Sequence, residues 1–123
     1  MPFRDAEQHL RDILESIDSI ETFLGDMDFH VYRGDLKTKS AVERQMQIIT
    51  EAAVRLGKDG DRLCPGVDWK GFRGMGNVLR HGYHQIDDKI VWDTVKAELP
   101  PVKTAVLRAL NPPSPSPKSP TLG

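Results

Sequence analysis

Arg73, Asn77 and His81 follow one another at four-residue intervals, the spacing that stacks side chains along one face of a helix. These are the residue types that phosphodiester chemistry without a metal requires. A histidine exchanges protons near neutral pH and serves as general acid or base. An arginine presents a planar fork that pairs two phosphate oxygens and stabilises charge accumulating there in a transition state. An asparagine amide orients either group or donates to phosphate itself. Arg80, immediately before His81, adds a second cation. From Trp69 to Gln85 there is no carboxylate, although the chain as a whole has a formal net charge of −1. That locally basic stretch points to an anionic ligand such as RNA. The same residues also fit a solvated helix face closed by a histidine, and spacing alone leaves both readings open.

The element that must position them is a helix from Trp69 to about Gly82. Trp69, Phe72, Met75 (or Gly76) and Leu79 recur at steps of three and four, which marks one buried face. Asp68 is placed to cap its first turn. The glycines at 71, 74 and 76 lower helix propensity by about 1 kcal/mol each, so their expected role is to admit another helix closely, as in a tight dimer seam.

The rest of the chain reads as further helices separated by short polar breaks. A first helix from about Pro2 to Leu24 carries the stripe Leu10, Ile13, Leu14, Ile17, Ile20 and Leu24, with Gly25 after its end. The connector 25–37 holds Phe29, Val31 and Tyr32 as anchors to the core. A second helix starts near Thr38 or Ser40, where Ser40 and Glu43 fit a capping box. It buries Val42, Met46, Ile49, Ala53 and Leu56 and stops at Gly57. Residues 58–68 are a turn-rich break. A fourth helix from about Asp87 to Leu99 turns Ile90, Val91, Val95 and Leu99 inward, with Asp87 and Asp88 at its positive end. Pro100 and Pro101 break it and open a fifth helix through Leu110. With no alternating strand pattern, the expected fold is all-α, an antiparallel up-and-down bundle of four to five helices spanning residues 1–110. The tail 111–123 has five prolines in thirteen residues and is expected to be disordered.

Composition excludes several classes. At 123 residues and 38% hydrophobic content this is one globular domain. The single Cys64 forms no internal disulfide and sits in no metal motif, which suits a cytoplasmic protein. The first residues are charged without an apolar core, so no signal peptide is expected. No apolar run approaches a membrane span. His81 and His84, with Asp87 or Asp88, make a poor metal site, so no metal or cofactor is expected. The glycines of residues 71–82 lack the preceding strand and the G-K-[ST] of a phosphate loop. His9 and His30 read as surface residues, and Cys64 as no nucleophile.

One string is specific. Trp69, Gly74, Met75, Gly76, Asn77, Leu79, His81, Tyr83, Ile86, Asp87, Val91 and Trp92 resemble the pattern of the HepT-like ribonuclease toxins, a branch of the HEPN superfamily. The segments RDILESIDSIETFL and ERQMQIITEAAVRL are similar to that family too, so the resemblance covers about residues 4–99. It implies a helical bundle that forms a homodimer and places two R-x(4–6)-H motifs in a cleft between protomers. It further implies metal-independent endoribonuclease activity and a cognate nucleotidyltransferase antitoxin. That partner would silence the toxin by adding AMP to the tyrosine two residues after the histidine, here Tyr83.

The sequence departs from the family at one position. The motif arginine ordinarily precedes the asparagine, and Gly76 stands there. Arg73 lies eight residues before His81, a rise of about 12 Å. Arg80 projects roughly 100° around the helix from His81. Either arginine can serve across a dimer cleft. The alternative is a weakened or inactive protein that survives as a helical binding partner of the nucleotidyltransferase.

Overall fold

In the computed structural model, which describes residues 3–81 and 86–111, two long amphipathic helices form the centre. Helix α1 (Phe3–Leu24) buries Ala6, Leu10, Ile13, Ile17, Ile20 and Leu24. Its chain turns out at Gly25, whose φ of +50° suits a residue without Cβ. Helix α3 (Leu36–Leu56) buries Val42, Met46, Ile49, Thr50, Ala52, Ala53 and Leu56. It stops at Gly57 with φ +54°. Helix α1 packs on α3 along one flank and on α7 (Leu99–Leu110) along another, while α5 (Trp69–His81) covers α3 from its other side. All regular structure among the described residues is helical. The expected antiparallel bundle is what the chain forms.

The connections are more ordered than their composition suggests. The connector after α1 contains a short helix α2 (Phe29–Arg33), capped where the Val31 N–H donates to Asp28 Oδ1 at 2.8 Å. Helix α3 begins one turn before Ser40. Asp35 Oδ1 accepts from the Thr38 N–H at 3.0 Å, so a capping aspartate upstream takes the role expected of Thr38 or Ser40. The break at 58–68 holds another short helix, α4 (Lys58–Leu63).

Two expectations about the last helices need correction. Helix α6 (Asp88–Asp93) is capped by Asp87, which accepts from the N–H groups of Lys89 and Ile90. Pro100 and Pro101 do not interrupt the helical course beyond it. Their missing N–H groups leave the carbonyls of Lys96 and Ala97 without helical donors. The chain widens into a π turn over Thr94–Glu98, and the Leu99 N–H reaches the Thr94 carbonyl. It then continues directly into α7, with the prolines in its first turn. Ile90 is exposed at 56%; Trp92 turns inward instead, its ring centroid 5.2 Å from Tyr32 and 5.9 Å from Phe29. Aromatic packing on α2 outweighs the simple helical stripe here.

Tyr32 also marks a charged cluster between α2, α3 and α6. Lys39 Nζ pairs with Asp88 at 3.1 Å. Glu43 shares that neighbourhood, and burial, then the Asp88 carboxylate, push its carboxyl above the ordinary range, with Lys39 opposing. Burial first, then Glu43 and Asp88, raise the Tyr32 hydroxyl as well. A carboxyl that binds its proton more tightly when folded contributes stability below its unfolded value. That contribution is lost as pH rises through the folded value. Glu43→Gln is therefore expected to raise the melting temperature by a few degrees at pH 7, with the gain vanishing towards pH 4 in paired thermal scans.

Candidate functional site

Helix α5 is anchored at its N-terminal end, and its last residue, His81, is exposed. Asp68 Oδ1 accepts from the Gly71 N–H at 3.0 Å, the cap expected from the sequence. The Asp68 carboxylate lies where a Cβ on residue 71 would sit, so glycine is needed there. Trp69 is 1% exposed, and its indole N–H donates to the Cys64 carbonyl at 3.2 Å. A Cβ on Gly60 would come within 3.1 Å of that ring, so the glycine in α4 lets the indole seat. Phe72 and Leu79 are buried further along. Asn77, Val78 and His81 remain exposed.

The middle of α5 is pressed against α3. A Cβ on Gly76 would lie 2.8 Å from Thr50 Oγ1 and 2.9 Å from Thr50 Cβ. Both distances are too short for real contacts. Thr50 is fully buried, and its hydroxyl donates to the Gln47 carbonyl at 2.8 Å. Position 76 therefore faces the neighbouring helix and has no room for a side chain. Glycine allows the approach, but the seam it builds is within the chain. Gly74 is different: nothing lies within 4 Å of its Cβ position. One turn later Val78 is 54% exposed. Gly74 and Val78 thus leave a shallow apolar strip facing outward.

The cations are arranged differently from the simple helical projection. Arg80 leans back over the preceding turn, as helical side chains do. Its Nη1 comes within 3.4 Å of the Gly76 Cβ position, and its Nη2 donates to Asn77 Oδ1 at 2.6 Å. The length of the side chain overcomes the angular offset expected to separate Arg80 from the ridge. Arg73 is drawn the other way, its Nη1 donating to the Ala53 carbonyl of α3 at 3.5 Å. The structure therefore joins Arg80 to Asn77, keeps His81 exposed beside them, and ties Arg73 to the opposite helix. Tyr83 and His84 lie outside the described residues. Thr50 is not singled out by the sequence. Its signal there is one polar residue inside an apolar stripe.

Other groups stay apart from this site. Cys64 is buried, its thiol directed to the Ala105 carbonyl at 3.7 Å, and burial pushes the thiol up. Such a sulfur is a poor nucleophile. His9 lies on α1 and His30 on α2. Among the described residues, no three His, Cys, Asp or Glu side chains form a group able to hold a metal. No helix among them is long and apolar enough to cross a membrane.

Several known proteins resemble this chain over most of its length. The family model described as ribonuclease HepT-like matches residues 13–109. A Thermococcus cleftensis protein named Probable ribonuclease HepT is 36% identical over 100 residues, covering 81% of this chain and 91% of the relative. Two Methanocaldococcus jannaschii proteins, each named Putative RNase, are similar to it as well. One is 38% identical over 100 residues, with 81% of this chain and 83% of the relative covered. The other is 37% identical over 103 residues, with 84% and 89% covered. No solved structure matches significantly.

Two of the three glycines of α5, Gly74 and Gly76, make opposite predictions. At the open Gly74, an alanine gains helix propensity and is expected to stabilise by about 0.5–1 kcal/mol. At Gly76 the same gain is outweighed by overpacking against Thr50, for a net loss of about 1–2 kcal/mol. Urea denaturation of Gly74→Ala and Gly76→Ala should move the midpoint in opposite directions.

Proposed function

This chain belongs to the ribonuclease HepT-like family, and we propose that it is a metal-independent endoribonuclease, the toxin of a toxin–antitoxin pair. The observation that carries this reading is the exposed end of α5, where His81 stands beside a guanidinium already tied to Asn77. An imidazole there takes the proton of an RNA 2′-hydroxyl. The 2′ oxygen attacks phosphorus, the bond to the 5′ oxygen breaks, and a 2′,3′-cyclic phosphate and a 5′-hydroxyl result. Arg80 or Arg73 pairs the non-bridging oxygens as charge builds on them.

The leaving oxygen needs a proton from a second group. A homodimer supplies it by presenting a second His81 across a cleft. The outward strip of Gly74 and Val78 supports such a seam, since a small residue and a half-exposed valine leave room for another helix. The cognate partner in this reading is a nucleotidyltransferase antitoxin that adds AMP to Tyr83. The added phosphate would form charge-assisted hydrogen bonds with the cations that RNA otherwise uses. A second reading, a weakened or inactive helical partner of the same transferase, is favoured by Gly76 standing where the resemblance implies the motif arginine.

His81→Ala separates these readings. It is expected to abolish RNA cleavage and relieve growth arrest on expression while the helical circular dichroism stays intact. Wild-type cleavage should persist in EDTA and leave cyclic phosphate ends. Cleavage that survives His81→Ala overturns the role given to it, and a wild type that binds RNA without cutting supports the binding-partner reading. Co-expression with a neighbouring nucleotidyltransferase should add an adenylyl mass to the wild type and not to Tyr83→Phe.

A further inference from the structure

We propose that Arg80 is the phosphate-binding cation of this site, and that Asn77, Gly76 and Thr50 act as positioning residues for its guanidinium. The proposal rests on the endoribonuclease reading and narrows it to one of two arginines. It begins from the direction of helical side chains, which lean towards the N-terminus and cover the turn before their own. Residue 80 therefore covers the surface above residue 76. Any side chain at 76 would occupy that place, and Thr50 is so close behind it that none fits. The surface above Gly76 is filled instead by the Arg80 guanidinium, with Nη1 3.4 Å from the Cβ position.

Three features suit this guanidinium to an anion. Asn77 Oδ1 accepts from Nη2 at 2.6 Å and sets the plane of the fork. A neutral acceptor does this without cancelling the charge. Among the described residues Arg80 makes no ion pair, because α5 carries no carboxylate and none approaches from elsewhere. Asn77 is also its one hydrogen-bond partner among them, which leaves further donors of a five-donor group for a ligand. His81 lies one turn beyond Asn77, and its side chain leans back by the same rule. The imidazole and the guanidinium thus flank Asn77, the arrangement a phosphodiester needs if one group binds it and the other moves a proton.

Arg73 also makes no ion pair among the described residues, but it is held away from Asn77 and His81. Its guanidinium is engaged with the Ala53 carbonyl across the seam. Its backbone is displaced about 12 Å along the axis from His81.

The test uses the full chain and a 5′-fluorescein RNA oligonucleotide of mixed sequence, with cleavage and anisotropy as readouts. Arg80→Ala is expected to lower kcat by about 10²–10³-fold, the loss typical of one transition-state donor. Arg80→Lys should restore only a minor part, since an ammonium does not reproduce the fork. Arg73→Ala should cost at least tenfold less than Arg80→Ala. Asn77→Ala alone should lower kcat, yet produce no further loss in the Arg80→Ala background, because it acts through that side chain. A merely structural asparagine would add its own loss.

A larger loss at Arg73 than at Arg80, or additive losses at Asn77 and Arg80, overturns the proposal. If the wild type binds the oligonucleotide without cutting it, the nuclease reading fails while the contact is still decided by salt. Arg80→Ala should then reduce the slope of log affinity against log salt by about one, and an unchanged slope overturns the assignment. Neither binding nor cutting by the wild type removes both.

Discussion

The contact between Gly76 and Thr50 is the constraint on which the rest of this structure turns. Two helices meet there at a distance that permits no Cβ on one of them. Because Thr50 already returns its hydroxyl to the Gln47 carbonyl, it can be buried in the seam without leaving a polar group unsatisfied. The approach sets the rotation of α5 about its own axis. With Gly76 turned inward, Asn77, Val78 and His81 must face out, and Trp69, Phe72 and Leu79 must face the core. One interhelical contact thus decides which chemistry reaches solvent.

The anchoring of α5 is asymmetric. Its first turns are held by the Asp68 cap, the Trp69 indole and the Gly60 notch beneath it. Its last turn carries Arg80 and His81, where the helix dipole favours positive charge. Anchoring at one end thus leaves Arg80 without an ion pair among the described residues at the other. Several carboxylates are engaged away from the last turn of α5. Asp28, Asp35, Asp68 and Asp87 cap helices, and Asp18, Glu21 and Asp88 pair with lysines. A chain with a net charge of −1 can therefore present a basic surface in one place.

The prolines and the π turn show how local rules yield to packing. Pro100 and Pro101 remove two helical donors, yet Val95, Leu99, Val102 and Val106 form one buried face across them. Widening the turn by one residue keeps that face continuous with the core. Stopping the helix would have exposed apolar surface on both sides of the break. The short helices α2 and α4 make the same point. Aspartate capping in α2, and the need to bring Gly60 under Trp69 in α4, order segments whose composition reads as loop.

The fold class, the long helices and most of the core are legible in the sequence, because helical periodicity records which face is buried regardless of what buries it. The stripes of α1 and α3, the Asp68 cap and the exposed Asn77 and His81 all follow from spacing and residue type. The string around Asn77 and His81 was specific enough to point to the family as well. What spacing could not supply was the partner of each face. The pairing of Gly76 with Thr50 joins residues 26 positions apart in the chain, and no local rule links them. The Arg80 guanidinium was missed for a different reason. Angular projection places Cβ atoms, whereas a long side chain is placed by the space and acceptors around it. The backward lean of a helical side chain brings it over residue 76 and to Asn77, whereas tertiary structure decided that Thr50 leaves no room for a side chain at 76 and drew Arg73 to a carbonyl of another helix.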